Sequence, residues 1–287
     1  MHKRSEGFFP GHHDLKIFFQ AWEKKDNTAS IIILHGQGEH SECYHRVVDF
    51  FKDDEWNFYA MDMRGHGRSE GKRGYVAHFN DYSRDYEIFL KHLFAAKIKR
   101  GPVVLLSHSM GSMIQLKFLS ESYSQTQHPL IQAQVCSSPL LGVAVPVPQF
   151  KDVGAEVLAR FFPKITLWNE LNNKMLTRDQ NVVKEFEADV LRHDVMSSKV
   201  YLGMKENFST LLERASRITL PTLFQVAEQD PVVSTPAAKE FFERLGSSKK
   251  RILVYGDGAR HEIYNDVMRE QVFQDLKKYL DGIKSGG

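Results

Sequence analysis

The stretch VVLLSHSMGSMIQLKFL, Val103 to Leu119, decides how the chain folds. Its opening four residues are all apolar and read as a short buried strand, while Ile114, Phe118 and Leu119 recur at helical spacing. Between them, SHSMGS has to make a tight turn. A strand, a sharp turn and a helix in that order hold the side chain at the turn, Ser109, out beyond the end of a sheet. A second stretch, GRSEG from Gly67 to Gly71, matches the letters G-x-S-x-G literally, whereas the first has Ser107 at the leading glycine position. GRSEG sits in a polar, glycine-rich run with no strand before it and no helix after it, so Ser69 is expected in a structural turn. Serine in place of the leading glycine adds one methylene and a hydroxyl, which fits if the hydroxyl finds a partner.

Outward from Val103 the pattern repeats. Ile31 to His35, Phe58 to Met61, Ile131 to Cys136, Thr222 to Val226 and Arg251 to Tyr255 read as further strands, and LKIFFQAW, Leu15 to Trp22, as part of an N-terminal hairpin. Helical patterns lie between them, such as Tyr82, Tyr86, Phe89, Leu90 and Leu93, and a last one runs from Val267 to Leu280. Alternation of this kind predicts an α/β fold, a mostly parallel twisted sheet flanked by helices. The alternation breaks after Pro139. From about 140 to 218 the sequence offers helical pattern and no convincing strand, so residues 1–139 and 219–287 are expected to form the core and 140–218 an inserted helical cap. One cap helix carries Val153, Val157, Leu158, Phe161 and Phe162 on one side; packing onto the core is the expected use of that stripe, with an acyl chain or membrane surface as the alternative.

A serine hydroxyl is a weak nucleophile without a base in reach, and the imidazole that serves it needs a carboxylate behind it. Of 13 histidines, His261 in GDGARHEIYND follows the last strand, where a base at the edge holding Ser109 belongs. His108 is adjacent to Ser109 and points away from it, and His35 and His66 sit beside turn glycines as packing residues. Asp230 follows the penultimate strand, ahead of its rivals Glu228 and Asp257. The oxyanion of a tetrahedral intermediate needs two backbone N–H donors. Met110, after the serine, supplies one, and Gln37 between two glycines in IIILHGQGEHS supplies the other.

The segments HGQGEHS, DMRGHGRSEG, SHSMGS, LTRD, AEQDPVV and GARHEIYND together resemble the monoacylglycerol lipase and lysophospholipase branch of the α/β-hydrolase superfamily over nearly the whole chain. The resemblance implies a catalytic triad of Ser109, Asp230 and His261, an oxyanion hole at Gln37 and Met110, a cap over a lipid-binding pocket, and a serine esterase acting on lipid acyl esters without a cofactor or metal. Two departures bear on the pocket. Family members commonly have a glycine where this chain has Ser107, and an arginine before the tyrosine of the HGxGEHS loop, where this chain has Cys43. The alternatives are a general carboxylesterase for small esters and a binding protein that kept the fold without catalysis. An aspartate would stand at Ser109 in dehalogenase or epoxide hydrolase chemistry, and HEIYN lacks the second histidine of a zinc H-E-x-x-H motif.

The bulk numbers narrow the rest. The 287 residues are 42% hydrophobic and 26% charged, as in ordinary globular proteins, and 38 basic against 36 acidic residues give no electrostatic ground for nucleic acid. Cys43 and Cys136 make no C-x-x-C motif and fit free thiols in a reducing compartment. The N-terminus lacks the apolar run of a secretory signal. Cytoplasmic residence is expected, with contact to a membrane surface through the cap. Basic cap residues Lys151, Arg160, Lys164 and Arg178 are candidates to meet a phosphate, or are solvated helix charges.

Overall fold

The computed structural model describes residues 2–24, 28–123, 128–145 and 147–285. An antiparallel pair, β1 (Lys3–Pro10) and β2 (Lys16–Glu23), opens the chain. Then come β3 (Ala29–Leu34), α1 (His45–Phe50), β4 (Trp56–Met61), α2 (Asn80–Ala96), β5 (Val103–His108), α3 (Met110–Glu121) and β6 (Ile131–Ser137). The segment that follows holds α4 (Gln149–Phe161), β7 (Thr166–Trp168), α5 (Asn173–Leu176), α6 (Gln180–Ala188), β8 (Val195–Ser197) and α7 (Ser198–Arg214). The chain ends with β9 (Thr222–Ala227), α8 (Thr235–Arg244), β10 (Lys250–Tyr255) and α9 (Arg269–Lys284).

Eight strands form one sheet in the order β1-β2-β4-β3-β5-β6-β9-β10, parallel from β4 to β10. Both faces of its centre are buried, and the side chains divide by the period of a strand. Ile32, Leu34, Val103 and Leu105 pack with α2, α3, α7 and α8, whereas Ile31, Ile33, Val104 and Leu106 pack with α1 and α9. The chain leaves β3 for β4 on one side and returns to β5 on the other. Loops leaving the carboxyl ends of β3 and β5 therefore diverge and open a crevice, the usual place for a site in such a sheet.

Between β6 and β9 the structure differs from the sequence reading in two respects. First, β7 and β8 pair as a small antiparallel sheet, Thr166 with Ser197 through Trp168 with Val195. Three residues are too few for alternation to register. Second, the apolar stripe of α4 does not pack on the core. Phe150 is 73% exposed and Phe161 65%, with Val153, Val157 and Phe162 also outside, while the small Ala155 and Ala159 are buried. Alanine is what allows the close approach of α4 to α7, and the large side chains are left on the far face.

Candidate active site

Ser109 stands between β5 and α3 with φ 50° and ψ −120°, a conformation costly for a residue with a Cβ. The turn is held by its surroundings. The Ser109 N–H donates to the Ser137 carbonyl at 3.0 Å, and its own carbonyl accepts from Ser112 at 3.0 Å and Leu140 at 3.1 Å. Gly111 is required by close packing: a Cβ there would lie 2.3 Å from the His35 carbonyl oxygen and 2.5 Å from that of Leu34. At Ser107 no such limit applies. Its hydroxyl is fully buried and donates to Ser112 Oγ at 3.1 Å, so the missing glycine is replaced by a satisfied polar contact.

His261, in the loop after β10, places Nε2 2.9 Å from Ser109 Oγ and Nδ1 2.8 Å from Asp230 Oδ2. The loop is fixed at its backbone, where Ser138 Oγ donates to the His261 carbonyl at 2.8 Å and the Glu262 N–H reaches the Leu176 carbonyl at 2.9 Å. Asp230, after β9, uses its other oxygen to accept the Val232 and Val233 N–H groups at 2.8 and 3.1 Å. Burial drives the Asp230 carboxyl upward, but the facing imidazole and these donors outweigh it and hold it below its ordinary value. The opposite balance acts on His261. Burial lowers its pKa, and Asp230 with Glu262 and Glu39 more than compensates, so it rises above 6.5. The carboxylate thus fixes the Nδ1–H tautomer and leaves Nε2 facing the hydroxyl as an acceptor.

The remaining candidates fall outside this chain of contacts. Glu228 and Asp257 are exposed and make no hydrogen bond to His261. His108 is bonded through Nδ1 to the Ser137 carbonyl at 3.1 Å, with its pKa pushed down to about 3 by burial. His35 bonds the Gly36 carbonyl and the Met63 N–H, and its ring packs against His66.

Gln37, in the loop after β3, and Met110, the first residue of α3, flank the crevice. Among the described residues neither main-chain N–H has a protein acceptor, while the neighbouring Gly36 N–H is already taken by Glu39 Oε2 at 2.7 Å. The Gln37 side chain donates instead to the Val195 carbonyl at 3.0 Å, which fixes the loop to β8. Over Ser109 and His261 opens a cavity of about 340 Å³, walled by the β3 loop on one side and by Asn169, Leu176, Phe186 and Arg192 on the other.

Arg192 was not foreseen from the sequence. Its guanidinium reaches Glu262 at 2.5 Å, lies against Cys43 Sγ at 3.4 Å and sits 3.8 Å from the centre of the Phe186 ring. Position 43, where the family resemblance leads one to expect an arginine, thus faces an arginine from another segment. The Arg192 charge holds the buried Glu262 carboxyl low against desolvation, and Glu39, which burial and Glu262 push up, rises to about 8. Of the four basic residues considered for phosphate, Lys151 pairs with Glu170 and Arg178 with Asp266, Arg160 lies over Phe161, and none of the four lines the cavity.

A family model described as "Serine aminopeptidase, S33" matches residues 25–268. A monoacylglycerol lipase of Mycolicibacterium smegmatis is 26% identical over 279 residues, spanning 96% of this chain and 97% of its own. Phospholipase YtpA of Bacillus subtilis is 24% identical over 261 residues, 91% of this chain and 98% of its own. Among solved structures, the monoacylglycerol lipase of Paleococcus ferrophilus superposes with a TM-score of 0.77 at 27% identity, covering 98% of each chain. With the match extending over most of its length, and a parallel sheet carrying the elbow at its switch point, the chain belongs to the S33 serine hydrolase family of the α/β-hydrolase fold.

Proposed function

We propose that this protein hydrolyses acyl esters of lipids, monoacylglycerols or lysophospholipids, through Ser109, His261 and Asp230. The observation that carries the reading is the unbroken line of hydrogen bonds from Ser109 Oγ to His261 and on to Asp230. His261 Nε2 takes the hydroxyl proton as Oγ attacks the acyl carbonyl. The resulting oxyanion is met by the Gln37 and Met110 N–H groups, and Asp230 stabilises the imidazolium. Collapse breaks the bond to the alcohol, which leaves with the proton from His261. Water, deprotonated by the same nitrogen, then attacks the acyl-enzyme and releases the fatty acid with Ser109 restored. Every proton passes through side chains of this chain, and the cycle calls for no metal or cofactor.

The lipid part of the proposal rests on relatives that bear lipase and phospholipase names, 26% and 24% identical across nearly their full lengths. Residues 140–218 act in it as a cap, roofing the cavity from the side of Asn169 to Arg192. Among the described residues no helix is long and apolar enough to cross a membrane. The outer face of α4 and β7, with Phe150, Val153, Val157, Phe161 and Trp168 exposed, suits shallow contact with a lipid surface. Cytoplasmic residence at such a surface is part of the same proposal, and the free thiols of Cys43 and Cys136 agree with it.

The test is parallel turnover of a monoacylglycerol, a lysophosphatidylcholine and a short p-nitrophenyl ester. Long-chain lipid esters should give the higher kcat/KM. A clear preference for the short ester would replace the lipase reading by a general carboxylesterase, and no turnover of any ester, with no fluorophosphonate labelling, would remove catalysis altogether.

A further inference from the structure

Residues 192–195, which lead from α6 into β8, touch the loop after β3 repeatedly. The His193 N–H donates to the Gly38 carbonyl at 3.1 Å, the Val195 carbonyl accepts from Gln37 Nε2 at 3.0 Å, and Arg192 reaches under both toward Glu39, at 4.0 Å, and Cys43. The same guanidinium binds Glu262, the residue after His261, whose second oxygen accepts from Asn265 Nδ2 at 2.8 Å. Glu39 in turn holds the Gly36 N–H at 2.7 Å and the Tyr44 hydroxyl at 3.0 Å, and so shapes the backbone that presents Gln37. Glu39 and Glu262 are 3% and 4% exposed. One cation therefore sits at the junction of two buried carboxyl groups, each belonging to a different catalytic loop. Without the guanidinium, Glu262 would be left as a buried unpaired charge, whereas Glu39, pushed up to about 8, meets the same cation as a neutral carboxyl at 4.0 Å. The ion pair therefore anchors the His261 loop, and the contacts at Glu39 and Cys43 tie the Gln37 loop to it.

We infer that Arg192 is a positioning residue: its guanidinium clamps the Gln37 loop to the His261 loop, so that oxyanion donor and base keep register only while the segment between α6 and β8 is seated. The inference rests on the catalytic reading above, and it places a requirement for turnover in a residue that touches neither Ser109 nor the base. It also gives position 43 a meaning. Cys43 Sγ lies 3.4 Å from the guanidinium, so an arginine introduced at 43 is expected to reach toward the same two carboxyl groups once the side chain at 192 is small.

The experiment compares Arg192→Met, Arg192→Met/Glu262→Gln and Cys43→Arg/Arg192→Ala with the unaltered protein. Two measurements are made on each: turnover of a soluble p-nitrophenyl ester and amide hydrogen exchange by peptide. Arg192→Met should lower kcat by about tenfold to a hundredfold with KM changed by less than about twofold, as expected of misplaced groups rather than lost binding. Exchange should quicken in residues 36–40 and 261–265 and not in α3 or β9. Glu262→Gln on that background should regain part of kcat by removing the unpaired charge, and the arginine moved to position 43 should regain most of it. Unchanged kcat in Arg192→Met, or a lost kcat with no change of exchange in those two segments, would overturn the clamp. If Arg192→Met does not fold, Arg192→Lys takes its place: a lysine cannot span both carboxyl groups as a planar fork does, so kcat should still fall, and undiminished turnover with unchanged exchange in both segments overturns the inference. Should the unaltered protein turn over no ester, the function reading falls by itself, and the exchange pattern still decides the clamp.

Discussion

Ser69 and Ser109 are buried almost equally, at 7% and 8% exposure, and both stand in serine motifs of nearly the same letters. Their hydrogen bonds separate them. Ser69 Oγ donates to the Asp62 carbonyl at 2.6 Å and accepts the Phe18 N–H at 2.8 Å, so both roles of the hydroxyl are spent on main chain. Ser109 Oγ has His261 as its one hydrogen-bond partner among the described residues, and that partner is an acceptor with a carboxylate behind it. The first arrangement ties β2 to the turn after β4. The second leaves a hydroxyl with a route for its proton and nothing else to do. A buried serine is set for chemistry by the partner it has, and its place in a letter pattern follows from that.

The widest gap between the two serines should appear on removing each hydroxyl. Ser109→Ala is expected to abolish fluorophosphonate labelling and lower turnover by several orders of magnitude, as loss of a triad nucleophile does. Ser69→Ala should keep kcat within about twofold of the unaltered protein. Near-normal hydrolysis by Ser109→Ala, with contaminating esterase excluded, would erase the distinction.

Asp230→Asn reduces the distinction without touching either serine, because it leaves Ser109 bonded to an imidazole that no longer has an anion behind it. Turnover should fall by roughly 10⁴-fold, by analogy with the same change in a serine protease triad. The pH profile carries the sharper information. In the unaltered protein His261 titrates above 6.5, so kcat/KM should rise with pH through an apparent pKa above that value as the base form appears. With Asp230 neutral, burial remains and the main raising influence is gone. The acid limb should therefore move to lower pH, and an unmoved limb would mean that Asp230 does not set the state of the base.

These contrasts also explain what could be seen in the sequence. Each member of the proposed triad follows a strand of the parallel sheet, and strands with apolar runs can be counted in a chain, so the placement of Ser109, Asp230 and His261 after strand ends was legible. Periodicity reports that one side of α4 is apolar but carries no sign for inward or outward, and the buried Ala155 and Ala159 are too small to register as a competing stripe. Arg192 lay beyond reach for another reason. Its partners, Glu39, Cys43 and Glu262, are far from it in sequence, and an arginine between helical segments has no pattern that distinguishes a buried ion from a solvated one.

On stability the ranking of the two serines reverses. Ser69→Ala strips a buried carbonyl of its donor and a buried N–H of its acceptor, and each unsatisfied group costs about 1–3 kcal/mol. A fall of several degrees in Tm should follow, measured by calorimetry. Ser109→Ala should leave Tm unchanged or raise it, because among the described residues the hydroxyl bonds only the His261 ring, which Asp230 still holds, and methyl replaces it in the same backbone conformation.

The smallest expected effect belongs to Ser107→Gly, which restores the leading glycine of the pattern. The change removes the hydroxyl bonded to Ser112 and adds backbone freedom to a central strand, for a combined loss of about 1–2 kcal/mol. Turnover should stay within about twofold, since Ser109, its backbone anchors at Ser137 and Leu140, and Gly111 are untouched. Equal kcat with lower Tm would place the elbow's geometry in the main-chain contacts and in Gly111. A marked rise in kcat would instead mean that the Ser107 side chain holds the turn away from its best position, and that the pattern glycine carries mechanical weight here after all.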